Sequence, residues 1–224
     1  MNLFKALSYK EWIKTRKVTG VLILVFFAVV AYTFIEVTHA IRLDNANNIW
    51  YGFLFMDNNL PQITYQIPLL AGISLALVQF VPEMTSKRLK LTLHLPADET
   101  AIISSMLLYG YLILIALFLA TLIAYTIGFS ILFPVEITKI LLSRLLPAVI
   151  SGLVSYGLTA WICFEPQWKQ RIFNLVIAIG LLSVFFLTDT AGVYLHFGVG
   201  FILLLLLSSV LPFYSVLRFK HGVL

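Results

Sequence analysis

Six stretches of the sequence are apolar over the length that a helix needs to cross a bilayer. A spanning helix requires about 20 consecutive and predominantly apolar residues. The stretches that meet or approach this length are residues 18–37, 63–81, 102–125, 145–164, 172–187 and 193–217. The fifth stretch is the shortest and needs flanking residues or local thinning of the bilayer to span it. The pattern predicts an all-α integral membrane protein with six transmembrane helices.

Composition supports this fold class and limits what the connections can contain. Of the 224 residues, 61% are hydrophobic and 11% are charged, whereas soluble domains average about 45–50% and about 25%. The longest connection, residues 38–62, is too short for a domain with its own core. We therefore expect any soluble catalytic or ATP-hydrolysing module to belong to another chain.

Basic residues are distributed unevenly between the two predicted sides of the membrane. With the N-terminus in the cytoplasm, twelve of the 15 Lys and Arg residues fall inside, and Arg42, Lys139 and Arg144 fall outside. Because an excess of Lys and Arg marks cytoplasmic segments, this predicts cytoplasmic N- and C-termini. The net charge of +5 then describes orientation in the lipid bilayer, and we expect no nucleic-acid partner.

Residues 1–17 form a predicted surface helix before the six-span domain of residues 18–224. At 3.6 residues per turn this segment has two distinct faces, one with Phe4, Leu7 and Glu11 and one with Lys10, Lys14 and Lys17. The pattern predicts an amphipathic helix that lies along the inner leaflet with its basic side toward lipid headgroups. A contact with a partner protein and a purely topological role of these charges both remain open.

The connection between the second and third spans, at residues 82–100, alternates leucines with polar residues. Its two-residue period favours a strand, but an isolated strand in so short a loop has no partner. As a helix, the same residues place Leu89 over Leu93 and Leu91 over Leu95 on two faces. Such a helix suits a position between the membrane and a docked protein.

This connection resembles that of the type-2 ATP-binding-cassette (ABC) export permeases. An acidic residue at the cytoplasmic end of the second span precedes a short polar run, a leucine-rich turn and a proline. The matching residues are Glu83, Leu89, Leu93, Leu95 and Pro96. The basic N-terminal segment and the six-span layout also resemble this family.

The resemblance implies the transmembrane permease subunit of an ABC transporter in the bacterial cytoplasmic membrane. In that family the connection carries a coupling helix that docks onto a separate ATPase subunit, and the permease works with a second copy or a paralogue. On this resemblance, the predicted contact residues for the ATPase are Glu83, Lys87, Arg88, Leu89, Leu91 and Leu93. No G-x-x-x-x-G-K-[ST] phosphate loop occurs in the sequence. We therefore expect ATP and Mg to bind to the ATPase, with no cofactor, metal or enzymatic activity in this chain.

Polar residues along the second span suggest a translocation path. Gln62 and Gln66 share a helix face with Tyr65 beside them, and Gln79 follows further along. These side chains could line a path at a dimer axis, or they could hydrogen-bond helix to helix. Small residues in the same span, such as Gly72, are typical of closely packed helices.

Two other classes of function remain open. The first is an integral membrane enzyme that acts on lipid or peptide, which a pair of intramembrane acid, base or metal-ligating residues would favour. The second is a non-catalytic membrane anchor or assembly subunit. A neighbouring gene for an ATPase with a phosphate loop would favour the transporter over the anchor.

Overall fold

A computed structural model of the chain describes residues 3–43, 46–55, 60–85, 98–187, 194 and 197–220. Across these residues the chain forms helices and short connections, without any strand. The α-helices are α1 (Leu3–Leu43), α2 (Ala46–Phe55), α3 (Gln62–Thr85), α4 (Glu99–Leu132), α5 (Val135–Phe164), α6 (Trp168–Ser183) and α7 (Gly198–Lys220). A 3-10 turn at Val184–Phe186 extends α6.

Six of these helices, all except α2, are long and apolar enough to cross a membrane, α6 when its 3-10 turn is included. The prediction of an all-α chain with six candidate spans is therefore confirmed. Several helices continue beyond the apolar stretch that identified them. At 1.5 Å per residue, α1 is roughly 60 Å long, about twice the thickness of the hydrocarbon core. From Leu3 onward, the predicted surface helix of residues 1–17 and the first span are parts of this one continuous helix.

The centre of the bundle is α5, which packs against α3, α4, α6 and α7. Its closest neighbour is α3, and the two helices cross at a pair of glycines. A Cβ atom added to Gly72 would overlap the carbonyl oxygen of Gly152, and one added to Gly152 would lie 2.5 Å from the carbonyl oxygen of Pro68. The expectation that small residues of the second span allow close packing is therefore confirmed at Gly72.

Successive contacts show that α3 and α5 run in the same direction. Pro68 lies beside Gly152, and further along both helices the rings of Phe80 and Phe164 are 4.8 Å apart. At the crossing itself, the hydroxyl of Ser155 donates a hydrogen bond to the carbonyl oxygen of Leu69 at 3.0 Å. The parallel pair brings the last turns of α3 and α5 to the same end of the bundle.

The beginning of α1 and the end of α7 lie at this same end. Lys14 of α1 contacts Glu83 in the last turn of α3, and Arg218 of α7 contacts Glu165 directly after α5. We call the end of the bundle that contains these four residues the base. Buried carboxylates and their basic partners thus join the helices at one end of the bundle.

Candidate functional site

A buried carboxylate joins α3 to α1 at the base. Glu83 is fully buried, and its Oε1 accepts a hydrogen bond from the Nζ of Lys14 at 2.6 Å. The Nζ of Lys10 lies 3.1 Å from the same oxygen. Because a charge removed from water needs opposite charges or hydrogen bonds close by, these lysines fix the last turn of α3 against α1.

A second buried carboxylate, Glu11, shares the same lysine. Its Oε1 lies 2.7 Å from the Nζ of Lys14, and its side chain is also fully buried. Lys10, Glu11, Lys14 and Glu83 thus form a group of two positive and two negative charges, which we call the base cluster. The ammonium of Lys14 points to carboxylates inside the protein, which differs from the expectation that the lysine face of this segment meets lipid headgroups.

A hydroxyl pair next to the base cluster extends the contact to a third helix. The hydroxyl groups of Thr15 on α1 and Tyr109 on α4 are 2.7 Å apart and buried. Thr15 also donates to the carbonyl oxygen of Glu11 at 3.0 Å. Polar contacts therefore connect α1 to α3, which precedes residues 86–97 in the sequence, and to α4, which follows them.

Of the six predicted contact residues, the structure describes Glu83 alone. Lys87, Arg88, Leu89, Leu91 and Leu93 lie outside the described residues, and a docking role for them stays a prediction. The carboxylate of Glu83 is turned into the bundle toward α1. Sequence reasoning identified Glu83 as a marker of the site but missed its partners Lys10, Lys14 and Glu11, which only the pairing of helices brings together.

Of the residues predicted to line a translocation path, Gln62, Tyr65 and Gln66 lie together, and Gln79 lies apart from them. Gln62 and Gln66 are exposed on the first turns of α3, with Tyr65 partly buried beside them. Gln79 is 13 positions beyond Gln66, roughly 20 Å along the helix. Gln79 is fully buried, donates to the carbonyl oxygen of Met106 at 2.8 Å and accepts from the hydroxyl of Tyr156 at 2.8 Å. Gln79 therefore makes helix-to-helix hydrogen bonds that join α3, α4 and α5.

The Tyr156→Phe variant should lower the stability of the protein by about 1–2 kcal/mol, because it leaves the Oε1 of a buried glutamine without its donor. The melting temperature of the detergent-solubilised protein measures the loss. Tyr214→Phe is the matched control, since Tyr214 is exposed on α7. Equal melting temperatures for the two variants would contradict a structural role of this hydrogen bond.

A third buried carboxylate lies at the base between α5 and α7. The Oε2 of Glu165 accepts a hydrogen bond from Ser215 at 2.8 Å, and its Oε1 lies 3.2 Å from the Nη1 of Arg218. The backbone oxygen of Glu165 accepts from the Nε of Arg171 at 2.6 Å. Sequence reasoning missed this group of contacts. The available signal was an acidic residue at the end of an apolar span, which implies a basic partner on another helix.

Several of the described side chains are of the types that a metal or catalytic site would use. No group of three His, Cys, Asp or Glu side chains among them could hold a metal ion. Ser74 lies in α3, and its hydroxyl donates a hydrogen bond to the carbonyl oxygen of Ala71 in the same helix at 3.1 Å. The three fully buried carboxylates, Glu11, Glu83 and Glu165, are each paired with basic side chains at the base.

No protein-family model matches the chain, and no curated protein or solved structure is significantly similar to it. The class of protein follows from the fold alone. The chain is all-helical across the described residues, and it has six helices long and apolar enough to span a membrane. These properties are consistent with a multi-pass membrane protein.

Proposed function

We propose that this chain is the transmembrane permease subunit of an ABC exporter, driven by a separate ATPase subunit. The N- and C-termini lie in the cytoplasm, as the distribution of basic residues predicts. The ATPase docks on residues 82–100, which include the segment between α3 and α4, and it supplies the sites for ATP and Mg. The bacterial cytoplasmic membrane is the proposed location.

The base cluster is the observation that supports this proposal most directly. Residues 86–97 are preceded by Glu83, which is bound to two lysines of α1. They are followed by α4, whose Tyr109 contacts Thr15 of α1. A force applied to the connecting segment would therefore reach α1, α3 and α4 together. This is the arrangement that a docked ATPase needs to move several helices with one contact.

The exposed glutamines of α3 bear on where a substrate would pass. Gln62 and Gln66 face away from their own bundle, so a path that they line would run between two copies of the chain or between the chain and a paralogue. This placement supports a homodimeric or heterodimeric permease. It assigns Gln79 to the interior of one subunit, where it stabilises the helix packing.

The proposal is tested by co-purification of the tagged chain with an ATPase from the native membrane. The Leu93→Asp variant should reduce the co-purified ATPase by about tenfold or more, because a charge at a packed apolar contact costs several kcal/mol. Leu43→Asp is the control, since Leu43 is an exposed residue at the opposite end of α1. ATP hydrolysis by the intact complex should fall in parallel.

Two results would contradict the proposal. If no ATPase co-purifies with the unmodified chain, the anchor or assembly subunit becomes the better explanation. If an ATPase co-purifies equally well with the Leu93→Asp and Leu43→Asp variants, the complex exists but residues 82–100 are not its docking segment.

A further inference from the structure

Two guanidinium groups converge on one residue at the base, between the end of α5 and the end of α7. Arg171 of α6 binds the backbone oxygen of Glu165, and Arg218 of α7 binds its carboxylate. Glu165 is fully buried, whereas both arginines are partly exposed. The acidic residue therefore positions two cations at the protein surface and neutralises one of them.

The charge balance at this place favours an additional anion. Two arginines and one carboxylate leave one positive charge, and the exposed Lys169 adds a second within the first turn of α6. That turn contains no acidic residue. A guanidinium has five N–H donors, and the contacts to Glu165 use few of them. Each arginine therefore keeps donors that can bind a phosphate in the bidentate manner typical of this side chain.

The aromatic residues beside the arginines indicate which anion fits. Trp168 precedes Arg171 by one helical turn and is 71% exposed, and the exposed ring of Tyr214 lies under the guanidinium of Arg218 at 5.9 Å. Exposed tryptophan and tyrosine at the ends of spanning helices are typical of the level of lipid headgroups. A phosphate at this level belongs to a phospholipid headgroup. The acyl chains of that lipid would cover the apolar surface of α6.

We propose that Arg171, held by the backbone oxygen of Glu165, and Arg218 bind the phosphate headgroup of an anionic phospholipid. Trp168 and Tyr214 flank the glycerol region of that lipid. The site requires that α5, α6 and α7 cross a membrane, and it is independent of the proposed transport function. Its role is to hold the ends of three helices at one bilayer surface through a lipid that bridges two of them.

The experiment compares lipid retention in native mass spectra of the full chain, released from nanodiscs of mixed phosphatidylglycerol and phosphatidylcholine. The unmodified chain should retain phosphatidylglycerol preferentially. Arg171→Gln should weaken this retention by about tenfold, the loss expected for charge-assisted hydrogen bonds. Lys139→Gln is the matched control, because it removes the same charge from an exposed position of α5 at the opposite end of the bundle.

A second variant should change the retention of phosphatidylglycerol in the opposite direction. Glu165→Gln keeps the backbone oxygen that holds Arg171 and an acceptor for Ser215, but it removes the carboxylate that neutralises Arg218, so retention of phosphatidylglycerol should rise roughly threefold. General damage to the fold would lower retention in both variants and cannot produce opposite shifts. The site is overturned if Arg171→Gln behaves like Lys139→Gln, or if Glu165→Gln fails to raise retention in a monodisperse sample.

A third arm distinguishes a lipid from a free phosphate. Inorganic phosphate and phosphatidylglycerol vesicles are each added as competitors at equal phosphate concentration. Displacement by the vesicles alone supports the assignment to a lipid. Equal displacement by inorganic phosphate would overturn that assignment and leave a plain anion site.

Discussion

The Lys14→Gln variant should lose about 3–5 kcal/mol of stability, because it leaves two buried carboxylates without their shared cation. Lys14 lies within 2.7 Å of both Glu11 and Glu83. Lys10 is the remaining cation near Glu83, at 3.1 Å and on the more exposed side of the cluster. Thermal unfolding of the detergent-solubilised chain, followed by circular dichroism, measures the change.

Two further variants separate the ion pairs from any general effect of the substitution. Lys17→Gln removes an exposed lysine from the next turn of α1 and should change stability by less than about 0.5 kcal/mol. Adding Glu83→Gln to Lys14→Gln should recover part of the loss, since one of the two unpaired charges disappears while that of Glu11 remains. A double variant as unstable as Lys14→Gln alone would show that the two residues do not stabilise the fold through each other.

A single methyl group at Gly72 should be as damaging as the loss of this charge. The Gly72→Ala variant places a Cβ atom against the carbonyl oxygen of Gly152 and the hydroxyl of Ser155. A backbone carbonyl in a helix cannot rotate away as a flexible side chain can, so α3 and α5 must separate. We expect a loss of about 3 kcal/mol, at the upper end of the usual cost of overpacking.

The matched control is the same substitution on a helix surface. A methyl group added to Gly180 of α6 would meet no atom within 4 Å beyond the neighbouring backbone of its own helix. Gly180→Ala should therefore be neutral, or stabilising by up to about 1 kcal/mol through helix propensity. The melting temperature should fall for Gly72→Ala, and it should stay unchanged or rise for Gly180→Ala. A Gly72→Ala protein as stable as the unmodified chain would mean that α3 and α5 are not in backbone contact.

The fold was accessible to sequence reasoning because the bilayer requires long apolar helices. Hydropathy locates the part of each helix that matches the hydrocarbon core, and it does not detect where the helix ends. For α1, the helix continues from the apolar stretch at residues 18–37 to Leu3 on one side and Leu43 on the other. Neither flank contains a proline, and the single Gly20 is tolerated within a helix.

The pairing of charged residues at the base could not be predicted from the sequence, for a different reason. Periodicity assigns Lys10 and Lys14 to one face of a helix, but it does not say which helix lies opposite. Glu83 is 69 positions away from Lys14, and their meeting depends on how α1 packs against α3. The central position of α5 is hidden in the same way, since lipid-facing and protein-facing helices are both apolar. Its small and hydroxyl-bearing residues, such as Ser151, Gly152 and Ser155, were the available signal.

The enclosure of α5 has a consequence for how the protein is made. This helix carries buried polar side chains, including Thr138, Arg144 and Ser151, which lipid accommodates poorly. In the sequence α3 and α4 precede α5, so if the helices enter a membrane in chain order, the surface of α3 that contacts Gly152 is in place before α5. Helices α6 and α7 arrive afterwards and cover the opposite side. The order of the segments along the chain thus supplies α5 with protein neighbours from the moment of its insertion.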